Sequence, residues 1–144
     1  MNERPPGSGK RRAFVVLGIV AVIILGAVSS LVSLPAVERA TALRIVGAMP
    51  KGRKFFVQHD EAGPERLAVW NAIGANYRVH DPQTDGPEHF PWGSCGRASS
   101  WLPFLASVRY RWVREPQVGG GGDLWYFCCF GLVFELGHST TRAS

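Results

Sequence analysis

AFVVLGIVAVIILGAVSSLVSL, residues Ala13 to Leu34, runs for 22 residues without a charge. As an α-helix rising about 1.5 Å per residue it covers about 33 Å, enough for the roughly 30 Å hydrocarbon core of a bilayer. Val, Ile, Leu and Ala dominate the stretch, and Gly18, Gly26, Ser29, Ser30 and Ser33 interrupt it in a way that lipid-embedded helices tolerate. Pro35, with no amide hydrogen and a bias against helix in the residue before it, predicts a boundary there. A core helix of a soluble domain would show a polar stripe, and this one shows none. The rival reading is a cleavable signal peptide, with Lys10, Arg11 and Arg12 as its charged start, Phe14 to Gly26 as its apolar centre, and Ala27-Val28-Ser29 as the cleavage site. The length of the run, and Leu31, Val32 and Leu34 beyond that site, favour a retained anchor.

Outward from this segment, Lys10, Arg11 and Arg12 abut its N-terminal end and predict a cytoplasmic N-terminus with the domain outside the cytoplasm; Arg39, Arg44, Lys51, Arg53 and Lys54 weaken that bias from the other side. The chain of 144 residues has a formal charge of +5, of which the first 12 residues carry +3. Nucleic-acid binding calls for Lys and Arg concentrated on one face of a domain, so this distribution argues against it. All five tryptophans, Trp70, Trp92, Trp101, Trp112 and Trp125, follow the apolar run, which marks the remainder as a folded domain.

The expected organisation is a cytoplasmic tail over 1–12, a transmembrane signal anchor over 13–34, a linker over 35–40, a small extracytoplasmic α+β domain over 41–138 and a polar tail over 139–144. Its fold class is a single N-terminal transmembrane helix plus a small α+β domain with a mixed or antiparallel sheet and one short helix. Thr41 to Met49 and Lys54 to Gln58 flank the turn-like Pro50-Lys51-Gly52 and read as a first hairpin, with a continued helix over Ala36 to Ala48 as its rival. Pro64, Glu65 and Gly74 bracket a short helix over Arg66 to Ile73, with Leu67, Trp70 and Ile73 as its buried stripe. Ala75 to His80 reads as a short strand, and Asp81 to Gly96, rich in Pro and Gly, as a long loop. Ser107 to Arg114 alternates as a half-buried strand, antiparallel to a second strand over Asp123 to Leu136 across the glycines of Val118 to Gly122. Tyr126, Cys128, Phe130, Leu132 and Phe134 on one face of that second strand and Trp125, Phe127, Cys129 and Val133 on the other are all apolar or aromatic, which predicts a central strand covered on both sides, with Gly131 at a bulge.

Motifs for chemistry are sparse. Cys95, Cys128 and Cys129 are candidates for a disulfide or a reactive thiol, against the plainer reading of Cys128 and Cys129 as small buried residues. The C-x2-C spacing of zinc and of thioredoxin-like sites is missing, and no pattern calls for a cofactor. His59-Asp60-Glu61 and His80-Asp81 place carboxylates beside imidazoles, without the H-E-x-x-H or G-x-S-x-G pattern of a reaction centre. Gly119 to Gly122 lacks the Lys-Ser/Thr of a phosphate loop. His89, Phe90 and Trp92 form a candidate interaction loop, facing either the membrane surface or a partner, against the plainer reading that Phe90 and Trp92 cap the core. The reading is a membrane-anchored interaction or accessory module of an envelope assembly, its partners the bilayer and another membrane or envelope protein. The alternatives are a tethered enzyme using His89 and Cys95, and a secreted domain after cleavage.

Overall fold

The computed structural model describes residues 8–58, 63–86 and 90–140. Helix α1 spans Ser8–Ala48, 41 residues with Pro35 inside it, and is about 60 Å long at 1.5 Å per residue. Its character changes part-way. From Gly9 to Leu25 every residue is exposed. From Gly26 onward one stripe is buried: Gly26, Ser29, Ser30, Ser33, Val37, Thr41, Ala42 and Ile45 recur at helical spacing and lie against a sheet.

That stripe decides two departures from the sequence reading. Residues 35–40, read as a linker, are helical: Pro35 removes one amide donor on the exposed side, and the packed face carries the helix past it. Residues 41–48, read as the first arm of a hairpin, are also helical, because Thr41, Ala42 and Ile45 extend the buried stripe and override the strand preference of Ile45 and Val46.

Among the described residues the sheet has seven strands: β1 (Phe55–Val57), β2 (Tyr77–Val79), β3 (Trp92–Cys95), β4 (Ser99–Leu102), β5 (Leu105–Glu115), β6 (Val118–Cys129) and β7 (Leu132–Thr140). Their order is β2-β1-β3-β5-β6-β7, with β4 also beside β5. β1 runs parallel to both β2 and β3, and all other pairings are antiparallel. β3 and β4 follow one another along the same edge of β5, pairing with Tyr110–Val113 and with Leu105 and Ser107. The fold class is thus the expected one: a long apolar helix, a mixed sheet and one short helix, α2 (Pro64–Ala72).

Helix α2 begins on Pro64 with Glu65 in its first turn and gives way to Gly74, whose φ of 65° only glycine adopts at little cost. Trp70 is its buried anchor and meets the Phe55 ring edge-on at 5.4 Å. The core lies between α1 and one face of the sheet, where Phe55, Val57, Cys95, Val108, Tyr110, Leu124, Tyr126 and Cys128 are buried.

Other expectations shift locally. β3 falls inside the stretch read as loop over Asp81 to Gly96. The glycines of Val118 to Gly122 belong to β6 and not to the reversal, which is the short turn at Pro116-Gln117. They suit a strand because the Trp112 ring lies where a Cβ on Gly120 would stand, 2.9 Å away. The apolar run Asp123 to Leu136 is two strands and a turn: β6 ends at Cys129, and Phe130 (φ 43°) and Gly131 (φ 91°) make the two-residue reversal into β7. Gly131 marks that turn and no bulge. β7 also takes in Ser139 and Thr140, read as polar tail, while residues 141–144 lie outside the described residues. β6 is covered on one face only. Leu124, Tyr126 and Cys128 meet α1, and Trp125 and Phe127 are exposed on the other side.

Gly26 is the tightest point of this packing. A Cβ there would stand 2.5 Å from the Cβ of Pro103 and 2.6 Å from a ring carbon of Phe104, whereas one on Gly18 would meet nothing. Gly26→Leu is therefore expected to lower stability by about 1–3 kcal/mol, as overpacking does, and Gly18→Leu to leave it unchanged. Thermal unfolding in detergent micelles, followed by tryptophan fluorescence, checks both.

Candidate functional site

The cysteines do not converge. Cys95 lies opposite Tyr110 on β5, while Cys128 lies one step beyond the Leu105–Phe127 pair, six residues further along the sheet. That is roughly 20 Å at 3.3 Å per residue, well past disulfide reach. Cys128 and Cys129 point to opposite faces, the first buried and the second half-buried. Burial holds the Cys128 thiol above its ordinary pKa, which disfavours the thiolate. Cys95 is 2% exposed, its sulfur 3.8 Å from the Glu38 carbonyl oxygen and 3.7 Å from that of Gly96. A nucleophile there lacks access from the surface.

His59, Asp60, Glu61 and His89 lie outside the described residues. His80 meets the Phe56 ring edge-on at 6.1 Å, and the Asp81 carboxylate accepts the Gln83 amide at 2.9 Å, closing a turn. Among the described residues no group of three or more His, Cys, Asp or Glu comes together. Phe90 is half-buried, and Trp92 stands on β3 with the Arg111 guanidinium 6.0 Å from its ring centre.

Trp92 also borders one of two clefts formed where β6 has only glycine. On the open face of the sheet, Trp92, Arg109, Arg111, Val113 and Asp123 surround the glycine floor of a cleft of about 340 Å³. On the helix side, Arg44, Ala48, Tyr110, Trp112 and Thr140 border a second of about 440 Å³. Arg109 is paired with Asp123 at 3.2 Å, and the Arg111 guanidinium lies over the Trp92 ring. The open cleft thus offers aromatic surface and guanidinium donors.

The best-defined constellation is a seam that sequence reasoning missed. Two turns, Leu102–Leu105 and Cys129–Leu132, sit against α1 at the level of Gly26 to Ser33. The Phe104 amide donates to the Gly26 carbonyl at 3.1 Å. Ser29 donates to the Cys128 carbonyl at 3.1 Å and accepts the Phe130 amide at 2.8 Å. Ser33 donates to the Ser29 carbonyl at 2.7 Å and accepts the Gly131 amide at 2.8 Å. Ser30 donates to the Leu102 carbonyl at 3.4 Å. The signal was present in the sequence: Gly26, Ser29, Ser30 and Ser33 share one face of a helix.

Higher on α1 the attachment continues. The Glu38 carboxylate accepts the Ala98 amide at 2.9 Å and stands 3.6 Å from Arg66 of α2. Thr41 donates to the Val37 carbonyl at 2.9 Å, so the Tyr126 hydroxyl, 3.1 Å away, donates to Thr41. Arg44 pairs with Glu135 of β7, which holds its guanidinium firmly charged, and lies 5.8 Å from the Tyr110 ring centre.

No protein-family model matches this chain, and no curated protein or solved structure matches it.

Burial raises the pKa of Tyr126 above its ordinary 10.0. The neutral phenol is the form the fold accommodates, so the stability tied to it is whole below the unfolded-state pKa and is lost as pH rises from there through the folded-state value. Tyr126→Phe is expected to cost about 1 kcal/mol at neutral pH through the lost hydrogen bond, yet to lose less stability than the wild type between pH 9 and 11. Denaturant midpoints of both proteins across that range check the sign; parallel slopes would remove Tyr126 as the cause.

Proposed function

We propose that this protein is a single-pass membrane protein whose α+β domain is a non-catalytic interaction module, held at the extracytoplasmic face as an accessory of an envelope assembly. The observation that carries the reading is the continuity of α1. The helix is long and apolar enough to cross a membrane, and its apolar first half, Gly9 to Leu25, is exposed throughout. The same helix, without a joint, then becomes the centre of the domain core. A module built this way keeps a fixed orientation to the bilayer, which favours a role in presenting a surface to a neighbour over one in diffusing to a substrate.

Cleavage after Ala27-Val28-Ser29 would remove Gly26 and Ser29, both of which hold sheet turns in place. That cost supports a retained anchor. Lys10, Arg11 and Arg12 beside the apolar half support a cytoplasmic N-terminus. The open cleft at Trp92, Arg109 and Arg111 lies at the end of the sheet away from the seam and is the surface we assign to the partner, a membrane or envelope protein.

Two measurements test this. Alkaline carbonate extraction of cell membranes followed by intact-mass analysis is expected to leave the uncleaved chain in the pellet; a soluble product beginning near residue 30 would refute the anchor. A photoreactive side chain at Val113, applied in intact cells, is expected to give one discrete crosslinked protein. A smear or no adduct would remove the cleft as the contact.

A further inference from the structure

We propose that the membrane-proximal rim of the sheet, made by the β4–β5 and β6–β7 turns, is inserted among the lipids of the same leaflet that α1 leaves, so that part of the domain lies in the bilayer. The inference rests on α1 crossing the membrane and adds where the membrane surface falls.

The first argument is length. Only residues 13–25 separate the basic cluster from Gly26, the first position held by the domain. Thirteen residues make about 20 Å of bare helix, against the roughly 30 Å of hydrocarbon to be crossed. The missing 10 Å or so corresponds to the next seven residues, Gly26 to Val32, and there the two turns already flank the helix. On the free side of α1 at this height Val28, Leu31 and Val32 remain exposed. The apolar surface of the span therefore does not stop where the domain begins.

The second argument is what the turns expose. Trp101 (83%), Leu132 (63%), Leu102 (59%) and Phe130 (55%) all stand out from the rim. On the open face of the sheet, Leu105, Phe127 and Phe134 form a row at the same end, with Phe127 and Phe134 paired across the strands. One row further from the seam come Ser107 and Trp125, and the next holds Arg109 and Asp123. The surface passes from apolar, through tryptophan, to charged over four residues, about 13 Å of strand. That is the order of chemistry met on leaving a bilayer, and tryptophan suits the middle of it.

The third argument is independent of exposure. Backbone amides and carbonyls at a turn in water need no protein partner, whereas in hydrocarbon each one left alone costs several kcal/mol. At this rim the amides of Phe104, Phe130 and Gly131 and the carbonyls of Leu102 and Cys128 all bond to α1. The Phe104 carbonyl in turn accepts the Cys128 amide at 2.8 Å, and Ser100 donates to the Leu105 carbonyl at 2.8 Å. These groups carry the protein partners that lipid would require of them.

The experiment uses the purified full-length chain in phosphatidylcholine vesicles carrying tritiated acyl chains, with p-benzoylphenylalanine placed at Phe130, Leu132 or Arg111. Illumination is expected to attach lipid label at 130 and 132 and none at 111. Crosslinking of 130 or 132 to a second copy, without lipid adducts, would overturn the proposal in favour of a dimer contact. No lipid adduct in a chain that still resists carbonate would also overturn it, leaving α1 as a plain anchor under a water-borne domain. A chain that washes from the vesicles would instead refute the anchor reading itself.

Discussion

Two β-turns lie flush against α1, and this contact lets an apolar membrane-length helix serve also as the centre of a sheet domain. Turns reach a helix side that closely only where side-chain bulk is missing and where their backbone groups find partners. Gly26 meets the first condition, and Ser29, Ser30 and Ser33 meet both. Each of Ser29 and Ser33 gives its hydrogen to a carbonyl and takes one from a turn amide, so both capacities of the hydroxyl are used. A leucine in place of either would push the turn away and leave buried groups unpaired, a cost of about 1–3 kcal/mol for each group. Beyond the seam the stripe enlarges to Val37 and Ile45, which fill the wider gap between helix and sheet.

This single contact sets much else. With α1 fixed against one face of the sheet, the other face stays open, and its polarity follows distance from the seam: Leu105 and Phe127, then Ser107 and Trp125, then Arg109 and Asp123. The far end holds the parallel strands β1 and β2 with α2 as their crossover, the connection parallel strands require. The clefts beside Gly119 to Gly122 lie at that end too. The molecule thus has a lipid-suited end and a polar end, both on one rigid helix.

The sequence was legible where a pattern is local. The uncharged run, the short helix around Trp70 and the antiparallel pairing of β5 with β6 all follow from composition, caps and alternation. It misled where one residue type serves two ends. Ile45 and Val46 favour strands but continue a helical stripe whose partner, the sheet, is distant in the chain. The run from Asp123 to Leu136 looked like one buried strand because Phe130-Gly131 has no polar turn residue before its glycine. The serines of α1 passed as tolerated interruptions, since only the folded sheet brings Cys128, Phe130 and Gly131 to them from about a hundred residues away. The clefts were hidden for a different reason: they arise from absent side chains in β6 beside large ones in β5, a relation of register.

The choice of residue at the two turns bears on the medium around them. Phe104 (φ 61°) and Phe130 (φ 43°) both hold the left-handed backbone that glycine or asparagine adopts more cheaply. Such a residue costs of order 1 kcal/mol. Phe130 stays 55% exposed, so in water burial of its ring offsets only part of that cost. In lipid the exposed part of the ring is transferred out of water, which adds about 1 kcal/mol of stabilisation. Phe104 recovers part of its cost by stacking on Phe127, with ring centres 6.0 Å apart. Phe130 has no such stacking to draw on: an unfavourable backbone carrying a half-exposed ring there, beside the exposed Leu132, is better matched to the proposed rim in lipid than to a turn wholly in water.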